Sequence, residues 1–282
     1  MISVVMTTYN GSKYVREQFK SIMHQTLLPD ELIIIDDFSL DNTYELLQEC
    51  CCVAPDSVKV KVLKNQSNIG YIRNFYKAIS MTAGDVVFLC DQDDIWEKNK
   101  IESMISEMKN KQVDLVCTNF ELINAEGNII SNRISYNINK FIENCHTDYS
   151  YISLNKLIYG NIVQGCTYCF SKKVRDIYLR LKCNYISHDT QIMFIGACIG
   201  KILFLNKKLI KYRIHESNSV GISNKGNRKN IRIKNVNKTP IMVRFINDLD
   251  KIVSVPQKNY YKFLYYLRIP YLKFLLLRKL DW

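Results

Sequence analysis

Acidic residues are scarce in this 282-residue chain: 27 Asp and Glu stand against 39 Lys and Arg, which leaves a formal net charge of +12. Such an excess asks for an anionic partner, and nucleic acid, lipid headgroups and phosphorylated substrates all qualify. The N-terminus, Met1-Ile-Ser-Val-Val-Met, has no basic stretch ahead of its apolar residues and turns polar at Thr7, so it does not read as a secretory signal. A reduced, cytoplasmic setting is expected. The ten cysteines, three of them consecutive at Cys50, Cys51 and Cys52, are then expected as small core residues rather than disulfides. Cys166 and Cys169 form one Cys-x-x-Cys pair, but no second ligand pair stands at zinc-site spacing, which argues against a zinc site. The C-terminal stretch Tyr260–Trp282 is apolar yet interrupted by Lys262, Arg268, Pro270, Lys273, Arg278 and Lys279, well short of the ~18 to 20 uncharged residues of a spanning helix.

What is present is an alternation of short apolar runs with helix-length segments. Strands are expected at Ile2–Thr7, Glu31–Ile35, Val58–Leu63 and Asp85–Cys90, with helices near 13–25, around Leu46 and Leu47, and over 72–81. Strands separated by helices predict an α/β fold with a Rossmann-like, mostly parallel sheet flanked by helices. Ligands of such sheets bind beyond the carboxyl ends of the strands, and those positions here are polar and acidic: Thr7-Thr8-Tyr9-Asn10, Asp36-Asp37-Phe38-Ser39, Asn65 to Gly70, and Asp91-Gln92-Asp93-Asp94. Converging on one sheet edge, they have the shape of a nucleotide site. Further strands are expected at Asp114–Phe120, within 156–170 and at Ile202–Leu205, and a helix at Asp189–Gly200.

The sharpest feature is Asp91-Gln-Asp93-Asp94. Three carboxylates within four residues repel one another unless a cation sits between them, and hard cations such as Mg2+ or Mn2+ are held by one or two carboxylates plus substrate phosphates. Taken alone, the same run also reads as a solvated, helix-capping turn.

The order of several motifs goes further. Val4-Val-Met-Thr-Thr-Tyr-Asn10, Glu31-Leu-Ile-Ile-Ile-Asp-Asp37-Phe-Ser, Asn68-Ile-Gly70 with Arg73-Asn74, Asp91-Gln-Asp93-Asp94-Ile-Trp96, His188-Asp189 and Tyr212-Arg-Ile-His215-Glu-Ser-Asn218 together resemble inverting glycosyltransferase family 2, and most closely its bacterial rhamnosyltransferase-type members. The resemblance covers about residues 1 to 221 and implies a GT-A fold. It also implies a sugar transferred from a nucleotide diphosphate donor, UDP- or dTDP-linked, to an acceptor hydroxyl in capsule or O-antigen assembly. By the same resemblance Thr8, Tyr9, Asp37, Asn68, Arg73 and Asp91 bind the nucleotide, Asp37 through the base. Asp93 coordinates a Mn2+ or Mg2+ ion bridging the diphosphate, His215 is a further metal ligand, and Asp189 is the general base. The chemistry needs that equipment. One carboxylate must take the attacking hydroxyl's proton, and a cation must neutralise the departing diphosphate. Each residue also has a plainer reading: Asp189 as a helix cap, His215 as a hydrogen-bonded loop histidine, Arg73 as a surface residue, Trp96 as packing beneath the acidic loop, and His188 as an orienting neighbour.

A domain over 1–224 is expected, followed over 225–282 by a basic linker and a small C-terminal helical extension. Residues 225–238 carry several Lys and Arg and no acid. The tail reads either as an amphipathic helix on an anionic membrane surface, where polyprenol-diphosphate-linked acceptors lie, or as a hairpin packed on the main domain. Two other functions compete. A sugar-phosphate nucleotidyltransferase would place a Gly-rich basic loop after the first strand, where this chain has Thr7-Thr8-Tyr9-Asn10-Gly11. A nucleic-acid binder would leave the acidic strand ends unexplained, so no nucleic-acid partner is expected.

Overall fold

The computed structural model describes residues 1–130, 147–157, 163–216 and 239–256, together with 258, 259 and 262. The basic stretch 225–238 and nearly all of the tail from Tyr260 lie outside the described residues, as does much of the segment 133–168.

Four strands form the parallel half of the sheet: β1 (Ile2–Thr8), β2 (Glu31–Asp36), β3 (Lys59–Lys64) and β4 (Val86–Cys90). They stand in the order β3-β2-β1-β4 and pair in parallel register, Val4 opposite Leu32 on one side and Phe88 on the other. β2 is buried from Leu32 to Asp36 because helices cover both sheet faces. β3, at the edge, alternates, and its exposed Lys59, Lys61 and Lys64 discourage pairing with another chain. The covering helices α1 (Val15–Met23), α2 (Thr43–Cys51) and α3 (Tyr71–Ser80) bury apolar stripes, Val15, Phe19 and Ile22 on α1 and Phe75, Ala78 and Ile79 on α3.

The chain moves outward from β1 to β3, then returns to place β4 on the other side of β1. The strand order therefore reverses between β1 and β4, and such a switch point opens a crevice at the strands' carboxyl ends. Tyr9 follows β1 and Asp91–Asp94 follow β4, so the sequence of connections itself puts them on the two lips of that crevice.

Beyond β4 the sheet becomes mixed, in the order β4-β8-β6-β9-β5. Here β5 is Ile95–Trp96, β6 Leu115–Ile123, β8 Tyr168–Ser171 and β9 Ile202–Arg213, while β7 (Tyr149–Ile152) pairs with the first part of β9. β8 runs antiparallel to both β4 and β6, and β9 parallel to β6. The strand expected at Ile202–Leu205 continues to Arg213. Asn206-Lys-Lys208 looks like a strand end, but the β6–β9 ladder shifts register beside Asn119, and a bulge of this kind lets pairing resume. Helices α4 (Lys100–Lys111), α5 (Leu154–Leu157), α6 (Lys172–Leu181) and α7 (His188–Ile199) cover this half.

α8 (Thr239–Asp250) falls in the segment assigned to the C-terminal extension. It buries Phe245, Ile246 and Leu249, sets Phe245 edge-on to Phe194 at 5.8 Å, and accepts the Tyr185 hydroxyl on Asp248 at 2.6 Å. This part of the extension packs on the main body. Among the described residues the cysteines are free thiols, and no helix is long and apolar enough to cross a membrane.

Candidate functional site

The loop after β1 is fastened on both sides. The Gln92 side chain accepts from the Tyr9 amide at 2.8 Å and donates to the Tyr9 carbonyl at 3.0 Å, as a neighbouring strand would. On the β2 side the Asn10 amide donates to Ser39 Oγ at 2.8 Å, and Asn10 Oδ1 accepts from the Leu40 amide at 2.9 Å. The Tyr9 ring is left 41% exposed and Phe38 beside it 40%. Phe38 holds φ at 65°, a left-handed conformation costing a non-glycine residue about 1 to 2 kcal/mol. Two apolar rings held at the strand ends by an over-determined backbone make a surface on which a flat base can stack.

Glycine is required at position 11, because a Cβ there would overlap Gln92 Oε1. Gln92 is the flexible partner and would swing away, releasing Tyr9 while the fold survives. Gly11→Ala is expected to weaken nucleotide-donor binding about tenfold, the equivalent of one or two net hydrogen bonds, with little change in melting temperature. In the double variant with Gln92→Ala the two effects should not add. Isothermal titration of the donor across that cycle checks it, and additive losses would refute the clamp.

Thr8 and Asp37, assigned to the nucleotide, are tied into the fold by their own side chains. Thr8 is 2% exposed and donates its hydroxyl to Asp36 Oδ1 at 2.9 Å, so it braces β2 rather than facing the crevice. Asp37 is 3% exposed: Oδ1 accepts from Asn65 Nδ2 at 2.8 Å and the Ile69 amide at 2.9 Å, and Oδ2 from the Gly70 amide at 2.9 Å. A buried carboxylate needs such donors, and through them Asp37 anchors the 65–70 loop. That loop turns on Gly70, whose φ of 82° suits glycine, and exposed Asn68 accepts the same amide at 3.1 Å. Arg73, on the first turn of α3, is exposed and lines a cavity with Tyr76 and residues 182–184. The structure groups it with the turn between α6 and α7, not with Tyr9.

Across the crevice, Asp93 Oδ2 and His215 Nε2 lie 2.8 Å apart, although 122 residues separate them. Both side chains are mostly sheltered, at 13% and 10% exposure, and the Tyr14 ring tilts against the imidazole at 4.9 Å. Asp91, Asp94 and Cys166 bring their ligand atoms within 4.8 Å of one another. Burial, then the charge on Asp93, pushes the Asp91 carboxyl up to about 7, and burial with both neighbouring acids raises Asp94 well above the usual range. Asp94 Oδ1 accepts the Arg213 amide at 3.0 Å, whereas buried Oδ2 has no hydrogen-bond partner. Carboxylates crowded to the point of holding protons, one with an orphaned oxygen and a histidine nitrogen beside them, fit a divalent cation.

Sequence reasoning passed over two cations that hold this loop. Lys100, fully buried, donates to the Cys166 carbonyl at 2.7 Å and lies 3.8 Å from the Trp96 ring centre. Burial pulls its pKa down to about 8 against the opposing pull of nearby thiols and Asp94. Arg213 donates from Nε to the Asp93 carbonyl at 2.8 Å, from one terminal nitrogen to the carbonyls of Asn124 at 3.3 Å and Ala125 at 3.1 Å, and from the other to Glu17 at 2.5 Å. Trp96, 3% exposed and 6.0 Å from the Phe88 ring, packs beneath the loop.

Asp189 stands in the first turn of α7, which begins one residue earlier at His188, and its Oδ1 accepts the Thr190 amide at 2.7 Å. His188 stacks on Phe75 at 3.9 Å, and burial, opposed by Asp189, drops its pKa to about 4. A Cβ on Gly165 would come within 3.1 Å of His188 Nε2 and 3.3 Å of Asp189 Cβ, so this glycine lets the backbone before β8 close on the start of α7. Asp189 acts electrostatically on Asp91, which places it across from the acidic loop.

The profile of glycosyl transferase family 2 matches residues 3–174. An uncharacterized glycosyltransferase of Nostoc is 27% identical over 77% of this chain and 66% of its own length. A dTDP-rhamnosyl transferase of Shigella flexneri is 27% identical over 77% and 73%. The UDP-Glc:alpha-D-GlcNAc-diphosphoundecaprenol beta-1,3-glucosyltransferase of Escherichia coli is 31% identical over 51% and 56%. The chain thus spans less than two thirds of the length of the first and last of these. Among solved structures, Staphylococcus aureus TarS residues 1–349 with UDP superposes at a TM-score of 0.63, covering 94% of this chain and 69% of that one at 17% identity. A Pyrobaculum calidifontis mannosyltransferase with GDP-Man and Mn2+ gives 0.61 over 96% and 69% at 14%; at these identities the likeness shows the fold. A switch-point crevice lined by an acidic loop, the match over more than half of the chain and the shared GT-A architecture make one conclusion: the chain belongs to glycosyl transferase family 2 and is a glycosyltransferase.

Proposed function

We propose that the protein transfers a hexose or deoxyhexose, with inversion, from a UDP- or dTDP-linked donor to an acceptor hydroxyl in bacterial surface polysaccharide assembly, as in capsule or O-antigen. The observation carrying this reading is the meeting of Asp93 and His215 at 2.8 Å on the lip of the crevice. Tyr9, presented by Gln92, stacks on the base with Phe38 beside it, and the Asn68 loop, held by Asp37, closes that side. Asp93 and His215 hold Mn2+ or Mg2+, with Asp91 facing the ribose or the same ion. When bound, the cation would neutralise the charge that develops on the leaving diphosphate. Asp189 takes the proton from the acceptor hydroxyl as its oxygen bonds to the anomeric carbon and the bond to the diphosphate breaks. The names of the Escherichia coli and Shigella relatives support a diphosphate-tethered glycan acceptor and a uridine or thymidine donor. The basic segment 225–282 supports docking at the anionic inner face of a membrane.

A panel of UDP-, dTDP- and GDP-sugars, with and without Mn2+, tests the reading by thermal shift and donor hydrolysis. One donor is expected to stabilise the fold only with metal, by about 2.7 kcal/mol at a hundredfold excess over Kd, and Asp93→Ala should remove that gain. If no donor raised the melting temperature under any metal condition, the assignment would fail.

A further inference from the structure

Beside the proposed base lies a cavity of about 360 Å3 between α3 and the turn joining α6 to α7, lined by Ile72, Arg73, Tyr76, Lys182, Cys183 and Asn184. Its floor is apolar and fixed. Cys183 is 5% exposed, and Tyr76 is set by donating its hydroxyl to the Leu179 carbonyl at 2.9 Å and by packing on Tyr178 at 5.8 Å. Its rim is cationic. Arg73 and Lys182 are both exposed, and neither forms an ion pair with a carboxylate among the described residues. Lys182 caps the end of α6, where a cation is favoured. Arg73 is the opposite case: it stands in the first turn of α3, which carries no acid, at the helix end whose dipole opposes a cation and favours an anion. Two uncompensated cations over an aromatic, apolar floor fit a ligand with an anionic head and an apolar or sugar body.

The position ties this cavity to catalysis. The turn 182–187 leads directly into His188 and Asp189, and Gln191 pins it by donating to the carbonyls of Cys183 at 3.1 Å and Ile186 at 2.6 Å. On the next face of α3, Phe75 stacks on His188 and Tyr71 lies edge-on to it at 6.1 Å. The Tyr71 hydroxyl, raised by burial, is raised further by Asp189. The cavity therefore adjoins the turn and the helix that set the proposed base.

We propose that this cavity is the acceptor's anion subsite: Arg73 and Lys182 grip the phosphate or diphosphate tethering the acceptor sugar, Tyr76 and Ile72 support its apolar part, and the sugar hydroxyl reaches Asp189. This rests on the transferase reading above and adds the place and the residues that hold the acceptor's anionic tether. The full chain, with EDTA to silence the metal site, is titrated calorimetrically with geranyl diphosphate, geraniol and inorganic diphosphate, for the wild type, Arg73→Ala, Lys182→Ala and the double variant. Saturable binding of geranyl diphosphate is expected, weakened tenfold or more by each substitution, with inorganic diphosphate binding far more weakly and geraniol not detectably. Inorganic diphosphate binding as tightly as geranyl diphosphate would overturn the assignment in favour of a free-anion site. So would an absence of binding to the wild type, or equal affinity in the double variant. Mn2+-dependent donor stabilisation, measured on the same proteins, separates the two readings. Its persistence leaves the transferase standing when the subsite fails, and its loss in Arg73→Ala alone would move Arg73 to the donor.

Discussion

Replacing Asp189 with Asn is expected to lower the transfer rate by about 10² to 10⁴-fold, the usual loss when a positioned general base is removed, while Mn2+-dependent donor binding stays at the wild-type level. The substitution is chosen to separate two roles. Asp189 Oδ1 accepts the Thr190 amide at 2.7 Å, and an Asn side-chain oxygen can accept the same bond at the same place. If Asp189 serves α7 only as a first-turn acceptor, the Asn variant keeps nearly all of its activity and its melting temperature. If Asp189 receives the acceptor's proton, the amide cannot, and kcat collapses in a protein that is folded and binds donor. Gly165 sharpens the expectation, because its lack of a side chain lets the preceding segment approach Asp189 Cβ and fixes the carboxylate's setting. Single-turnover transfer, with donor affinity measured by titration, reads both quantities, and a wild-type rate would assign Asp189 to the helix.

The strand ends show why so much of this site was legible. A parallel sheet delivers the residue after every strand to one edge, so the strand pattern alone gathers Tyr9, Asp37 and Asp91–Asp94. What sequence does not encode is which of the gathered side chains turn inward. Thr8 and Asp37 are as polar as Tyr9 and Asp93, yet both are buried and bonded within the fold, Thr8 to Asp36 and Asp37 to the amides of Ile69 and Gly70. Gln92 reads as a spacer between acids, and its role appears only when the loop folds back on Tyr9. Among 39 basic residues nothing in the sequence marks Lys100, Arg175 and Arg213 as buried. The fold shows the same limit. α4 carries a helical stripe in Ile101, Met104, Ile105 and Met108, but the two-residue β5 and the run of β9 past Asn206 depend on a partner strand, which no local pattern announces.

Arg213→Met is expected to destabilise the protein by about 3 kcal/mol or more, an unusually large cost for one substitution. Buried ion pairs can often be replaced by apolar residues at little cost when every partner is replaced together, but three of the partners here are main-chain carbonyls, those of Asp93, Asn124 and Ala125. No side-chain change removes them, and an acceptor shielded from water that loses its donor costs about 1 to 3 kcal/mol; these three are part-buried. A further partner, Glu17, is 54% exposed, so that ion pair is screened by solvent and contributes little. Glu17→Gln should therefore fall within about 1 kcal/mol of the wild type, a control that separates the carbonyl contacts from the salt bridge. Arg213 also holds the backbone of Asp93 directly, while its own amide holds Asp94. Loss of the side chain should release Asp93 from His215 and weaken Mn2+-dependent donor stabilisation at temperatures where the variant is still folded. Denaturant unfolding of the two variants, followed by the metal titration, measures both effects. A stability near wild type with unchanged metal dependence would mean that water replaces the guanidinium among these carbonyls and that the acidic loop keeps its shape without it.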